Sequence, residues 1–240
     1  MMRVAVLLPS TGRAERLGRC LRKLIVTSRP HHLEICVVVD NDMNSCDAVM
    51  DAVARGSLPP EDAGRVRLAL KHNVDYVGNS AAWNQALSMV SSEASYMVFA
   101  ADDLIWHEGW LDEALRVMLT TFDERGGLVG FNDGHWDGNE LSTHYIMSRW
   151  FVENVMGGKV AWEGYKHSFN DVEANGRAKK AGRFAWAPGA VVEHEHWTFG
   201  TREQDETDRR FLSGWAASQQ LYADREAAGF PDPDEVVRCE

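Results

Sequence analysis

The sequence has no apolar run long enough to cross a bilayer. Its longest, such as Val4 to Leu8 and Tyr96 to Ala101, fall far short of the roughly 20 residues that a span requires. No membrane partner is therefore expected. The first run follows an early arginine, is closed by Pro9 and has no small-residue cleavage site, so it reads as a first β-strand and not as a signal peptide. A soluble, cytoplasmic protein is the expectation. Cysteine is scarce: Cys20, Cys36, Cys46 and Cys239 form no C-x-x-C pair and no zinc spacing, which leaves neither a disulfide framework nor a zinc site. Two of them sit within apolar patterns, as small buried hydrophobes do. Basic residues are outnumbered, 25 Lys and Arg against 36 Asp and Glu, for a formal net charge of −11. That balance counts against loose electrostatic binding to DNA, RNA or an anionic membrane, which relies on clustered Lys and Arg releasing counterions. Internal repeats and low-complexity tracts are also missing.

What the 240 residues do contain is enough apolar side chain, 45%, to bury one substantial core. Through the first hundred residues short β-rich runs alternate with helical patterns, the signature of βαβ units around a mostly parallel sheet. Val4 to Leu8 is the first strand. Leu17, Cys20, Leu21, Leu24 and Ile25 then keep the 3.6-residue period of a helix packed on the sheet. Leu33 to Val39, Val66 to Leu70 and Tyr96 to Ala101 follow as strands, the last an unbroken apolar run suited to burial on both faces. Gly78-Asn79-Ser80 offers N-cap chemistry to a helix whose inward face is Ala82, Trp83, Ala86, Leu87 and Val90. Trp110 to Phe122 carries a second clean helical stripe, and Gly127 to Phe131 another strand. Beyond about Asn132 the pattern turns aromatic and glycine-rich, with a short polar helix near Asp171 to Lys180 and a strand near Ala190 to Glu193. That half reads as loops that build a site. From Thr201 the chain is charged, then helical through Trp215 and Leu221, and it ends in an acidic, proline-containing tail expected to be mobile.

In open parallel sheets ligands bind beyond the carboxyl ends of the strands. The polar residues that follow strands one, two and four are Thr11 and Arg13, Asp40 and Asp42, and the adjacent pair Asp102-Asp103. Such a pair can ligate a hard divalent cation with one carboxylate while its neighbour holds a ribose hydroxyl or a metal-bound water. It can also simply cap the helix that follows. Nine tryptophans exceed what a core of this size needs; they serve as buried anchors or as a sugar-stacking surface.

Taken in order, the motifs resemble the family 2 glycosyltransferases of the GT-A fold over roughly residues 3 to 200. They are Leu8-Pro9-Ser10-Thr11-Gly12-Arg13, Val39-Asp40, Gly78-Asn79 through Asn84, Ala101-Asp102-Asp103 with Gly109-Trp110 beyond, Asn170-Asp171-Val172-Glu173, and Val192-Glu193-His194. The stretch Thr143 to Arg149, and Glu193 to His196 followed by Asp205-Glu206-Thr207, resemble small phage-type members, for which the host cytoplasm would be the location. The resemblance implies a single α/β domain with a Rossmann-like, mostly parallel central sheet at 1–200, split into a nucleotide-sugar half (1–105) and an acceptor half (106–200), with a C-terminal helical extension and tail at 201–240. It implies transfer of a sugar from a nucleoside-diphosphate sugar, a UDP-sugar in the first instance, with inversion at the anomeric carbon. Donor contacts would come from Pro9, Thr11, Arg13, Asp40, Asn79, Asn84 and Asp102, with Thr11 and Asp40 on the base and Asp102 on the ribose. Asp103 would hold the metal, Mn²⁺ or Mg²⁺, with His194 or His196, and Asp171 would be the catalytic base. The family's usual D-x-D has Ala101 in its first place here, so the motif is reduced to its last two carboxylates. The acceptor is left open among a glycan, a protein and a hydroxymethylated DNA base.

Further expectations come from the residues themselves. Trp136, Trp150, Trp162 and Trp197 are candidates for the acceptor pocket, and Gly157 to Tyr165 for a segment that folds over bound donor. Arg177, Lys179, Lys180 and Arg183 either hold a phosphate or complement the carbonyl end of a short helix. Two other activities compete. Nucleotidyl transfer to a sugar phosphate usually needs a fuller Gly- and Lys/Arg-rich loop than Ser10-Thr11-Gly12-Arg13, and a non-catalytic nucleotide-sugar-binding module has no need of both an aspartate pair and a base-like Asp171.

Overall fold

The computed structural model describes residues 2–54, 58–165 and 167–231. Cys239 and the acidic tail lie outside the described residues. Among those described, eight strands form one sheet: β1 (Arg3–Ser10), β2 (His32–Asp40), β3 (Val66–Asn73), β4 (Tyr96–Phe99), β5 (Leu104–Trp106), β6 (Leu128–Asn132), β7 (Tyr145–Ser148) and β8 (Phe184–His194). Their order is β3-β2-β1-β4-β7-β6-β8-β5. Pairing is parallel from β3 through β4 and between β6 and β8; β7 runs against β4 and β6, and β5 against β8. The α/β sheet is thus mostly parallel, as expected.

Alternation along the strands explains the burial. Val4, Val6 and Leu8 of β1 join Ile35, Val37 and Val39 of β2 in one apolar layer, whereas Ala5, Leu7, Cys36 and Val38 belong to the layer on the opposite face. Both faces are covered, which is why these runs carry almost no polar residue. The first layer is closed by helix α1 (Ala14–Thr27), with Leu17, Cys20, Leu21, Leu24 and Ile25 inward, by α2 (Met43–Val49) and by α4 (Trp110–Thr121). On the second lie α3 (Asn79–Ser88), α5 (Arg149–Asn154) and α6 (Asn170–Lys180). Cys20, Cys36 and Cys46 are free and buried, in line with their reading as small hydrophobes.

Two strands escaped the sequence reading for physical reasons. β5 is three residues long, and β7 lies within the stretch 143–149 where a strand and a helix meet without a turn signal. The strand expected near Ala190 begins earlier, at Phe184; Pro188 sits where the β6·β8 register shifts, with Asn132 Nδ2 donating to its carbonyl at 3.0 Å. The expected C-terminal extension is the long helix α7 (Glu206–Ala227). It is fastened to α6 by a buried cluster in which Arg225 donates twice to Glu173 at 2.9 and 2.7 Å, joined by Arg177 Nε at 3.0 Å and the Tyr165 hydroxyl at 2.9 Å. No helix among the described residues is long and apolar enough to cross a membrane.

Candidate functional site

The strand order reverses beside β1: β2 and β3 extend the sheet one way, β4 the other. The carboxyl ends of β1 and β4 lie side by side at this reversal, the usual place for a ligand in such sheets. A cavity of about 470 Å³ opens there, lined at one end by Pro9, Thr11, Arg13, Asn79, Asp102 and Asp103.

Register brings the metal candidates together. Asp103 immediately precedes β5, whose Leu104 is paired with His194 at the end of β8, and Glu195 N donates to the Asp103 carbonyl at 2.9 Å. His194 Nε2 consequently lies 3.4 Å from Asp103 Oδ1. That oxygen is buried and has no hydrogen-bond partner. The other Asp103 oxygen faces Arg13 Nη1 at 3.1 Å and Arg202 Nη2 at 3.5 Å. Arg13 Nη1 also lies 3.1 Å from Asp102, and the rest of its guanidinium is held by Asp205 and Asp208 at the start of α7. Burial raises the Asp102 carboxyl against the pull of Arg13, and Ser10 Oγ donates to it at 2.6 Å. Burial opposes ionisation of Asp103 too, but His194 and Arg13 outweigh it and hold that carboxyl well below its usual range. Asp103 is the member of the pair that stays ionised.

Asp171 lines the same cavity. It stands in the first turn of α6, whose preceding residue, Phe169, has a left-handed backbone at φ 72°. A non-glycine residue in that region is held there by its surroundings; Phe169 stacks on Tyr222 and tilts against Trp215, both on α7. Burial pushes the Asp171 carboxyl up to about 6, although the backbone N–H groups of Val172 and of Asp171 itself favour its charged form. Glu173, two residues on, is committed to the Arg225 and Arg177 cluster and does not line the cavity.

Several lining groups had no sequence signal strong enough to single them out. His144 is buried beside His194, ring centroids 4.8 Å apart, and burial lowers it to about 3. His167, lowered to about 4 chiefly by burial, shares its Nδ1 with Asn79 at 3.0 Å. Arg202 comes from the segment before α7. His167 lies three residues ahead of the Asn170-Asp171 motif, and His144 within the stretch Thr143 to Arg149, but neither residue was singled out.

Other expectations are corrected. Asp40 does not line the cavity: its carboxylate accepts from Asn73 Nδ2, Val77 N and Gly78 N, so it ties the start of α3 to β2. That tether replaces the side-chain cap expected from Gly78-Asn79-Ser80, which is not made. Asp42 caps α2 through Asn44 N. Asn84 is consumed by the segment after α5, accepting from Val160 N at 3.0 Å and donating to the Ala161 carbonyl at 2.8 Å and to Glu163 at 2.9 Å. By the same contacts residues 160–163 are tied to α3, and none of Gly157 to Tyr165 is among the residues that line the cavity. Trp136 and Trp197 line the cavity, but Trp150 packs between Arg125 and Arg183, and Trp162 lies under Arg225 at 3.8 Å. Arg177, Lys179 and Arg183 serve Glu173, the Glu140 carbonyl and Asp123. His194 and His196 do not share a strand face, because β8 ends at His194; His196 opens the following turn, bonded through Nδ1 to Thr198 at 2.6 Å.

The sequence pattern of glycosyl transferase family 2 matches residues 5–196. No curated protein is detectably similar in sequence. Among solved structures, glucosyl-3-phosphoglycerate synthase from Mycobacterium tuberculosis, in complex with Mg²⁺ and uridine diphosphate, superposes with a TM-score of 0.56 at 14% identity over 97% of this chain and 81% of that one. The catalytic domain of Drosophila β1,4-galactosyltransferase 7, in complex with xylobiose, gives 0.52 at 14% identity over 86% and 75%.

Proposed function

Because the chain belongs to glycosyl transferase family 2, we propose that it is an inverting, divalent-metal-dependent transferase that moves a sugar from a UDP-sugar to an acceptor hydroxyl, with Asp171 as the base. The observation that carries this reading is that two unlike carboxylates line one cavity: Asp103, held well below its usual range, and Asp171, raised to about 6. Environments that push two carboxyl groups apart assign them to different tasks.

A divalent ion fits the residues present. Asp103 offers a buried oxygen without a hydrogen-bond partner, and His194 offers an imidazole nitrogen beside it. Among the described residues no group of three His, Cys, Asp or Glu side chains is placed to hold a metal ion, so its remaining ligands would have to be donor phosphate oxygens and water. Asp103 and His194 would hold it, with His196 farther off, its ring 5.0 Å from that of His194; an oxygen-rich set with one imidazole suits Mn²⁺ or Mg²⁺. Bound there, it would act as a Lewis acid toward the departing diphosphate. The mycobacterial structural neighbour, solved in complex with Mg²⁺ and uridine diphosphate, supports the same choice.

The protein's own groups do the rest. Pro9, Thr11 and Asn79 line the nucleotide end, with Asp102 available to a ribose hydroxyl. Arg13 is positioned to exchange its carboxylate partners for phosphate oxygens, which a guanidinium fork matches equally well. The Asp171 carboxylate, which lines the same cavity, takes the proton from the attacking hydroxyl as the oxygen–carbon bond forms and the bond to the diphosphate breaks. Attack from the side opposite the leaving group inverts the anomeric configuration. Incubation with a panel of nucleotide sugars and Mn²⁺ tests the reading: release of free UDP in the presence, and not the absence, of metal is expected. Turnover that is equal in EDTA contradicts it.

A further inference from the structure

Eight large hydrophobic side chains are exposed among the described residues, and half of them, Trp136, Phe199, Leu212 and Trp215, line this one cavity. Singly scattered apolar groups on a surface are ordinary; four converging on a polar site are not. They are also supported in place. The Phe199 ring stacks on His135 at 4.0 Å and 8° and meets the edge of Trp136 at 5.8 Å. Trp215 lies against Phe169, ring centroids 4.9 Å apart, two residues from Asp171. Three of the four come after residue 196, where the family pattern ends.

We propose that Phe199, Leu212 and Trp215, with Trp136, form the acceptor subsite, and that it selects a neutral pyranoside. The inference rests on the glycosyl-transfer reading and adds a substrate class to it. Flat aromatic faces offer a sugar ring's C–H face the apolar contact it can make without losing its hydroxyls to a dry wall. One end of that wall leads to Asp171, so a ring stacked there carries a hydroxyl toward the base. Charge excludes the competing ligand classes. The two cationic side chains of Lys or Arg type among the described lining residues, Arg13 and Arg202, are already paired with Asp102, Asp103, Asp205 and Asp208. Among the described residues the aromatic end carries no Lys or Arg of its own, since Arg13 and Arg202 both lie at Asp103, while nucleic-acid binding draws much of its affinity from such charges.

The test uses the full chain loaded with UDP and Mn²⁺ on an array of neutral and anionic glycans, together with single-stranded oligonucleotides carrying 5-hydroxymethylcytosine. Binding of a neutral glycan is expected, weakened at least about tenfold, or 1.4 kcal/mol, in Trp215→Ala and in Phe199→Ala. Trp215→Phe, which keeps a stacking face, should retain most of the affinity, and all three variants should bind UDP with Mn²⁺ as the wild type does. Absence of any neutral-glycan binding, unchanged binding in both alanine variants, or preference for the oligonucleotide or an anionic glycan overturns the proposal. Failure of the underlying reading looks different: the wild type then releases no UDP from any nucleotide sugar.

Discussion

The two ends of the cavity are built in opposite ways. At the donor end, charged groups from β1, β4 and the start of α7 satisfy one another: Arg13 alone touches Asp102, Asp103, Asp205 and Asp208. The acceptor end has exposed rings and one titratable carboxyl. A preorganised, charge-balanced pocket suits a ligand whose chemistry is fixed, such as a metal diphosphate, whereas an apolar wall on an added helix is free to diverge with the acceptor. The difference separates an end whose charged groups hold one another in place from an end whose apolar side chains stay exposed.

That contrast can be broken from the acceptor side by Glu173→Gln. The change leaves Arg225 buried without its anion, and loss of one partner of a buried pair costs about 3–5 kcal/mol. The midpoint of thermal unfolding should fall accordingly, and hydrogen exchange should rise first in α7. Equal protection of α7 in the variant would mean that Arg225 does not dock the helix.

Asp103→Ala attacks the donor end. Removal of a ligand worth several kcal/mol of charge stabilisation should lower turnover by roughly 10²–10³-fold. Metal-dependent UDP binding, followed by calorimetry, should vanish with it. His194→Ala should weaken that binding more than His196→Ala, because only His194 lies beside Asp103.

Smaller effects sharpen the boundary between site and scaffold. Asn84→Ala removes four hydrogen bonds that hold 160–163 and should cost about 1–3 kcal/mol of stability while leaving UDP affinity unchanged. A loss of UDP affinity would restore Asn84 to the donor site. Arg13→Met should tighten the binding of Mn²⁺ alone by roughly tenfold, since one guanidinium no longer competes for the two carboxylates, and weaken UDP binding by a similar factor. Unaltered Mn²⁺ affinity would show that Arg13 does not compete.

Much of the donor end was legible in the sequence because its residues follow directly on strands that alternation and apolar runs disclose. Asp102 and Asp103 end such a run, and the doubly wound topology alone carries them to Arg13 and Thr11. Asp40 obeyed the same rule of position yet faces the backbone of Val77 and Gly78, because strand-end placement does not dictate which neighbour a carboxylate meets. The acceptor end depends on tertiary packing. Nothing local in Leu212 or Trp215 shows that α7 is fastened through Arg225 to Glu173, and a tryptophan under an arginine reads, in sequence, like one that lines a cavity. His144 was hidden for a similar reason: it directly precedes β7, a strand that has no turn before the helix that follows.

The account turns on Asp171, and the pH dependence of kcat/KM tests it most directly. Burial, opposed by the backbone N–H groups and by His194 and abetted by Asp133, raises the free carboxyl to about 6. Since the fold disfavours its ionisation, the stability Asp171 confers is present below its unfolded pKa and is lost as pH rises through about 6. Asp171→Asn should therefore be no less stable than the wild type at pH 7. Its activity has the opposite dependence, because the base works only when deprotonated. The wild type should lose kcat/KM as pH falls below about 6, and Asp171→Asn should lower kcat by about 10²–10⁴-fold, abolish that acid limb and leave UDP affinity intact, with an inverted anomer as the wild-type product. A variant that turns over near the wild-type rate with the same acid limb, or a product of retained configuration, would contradict the account.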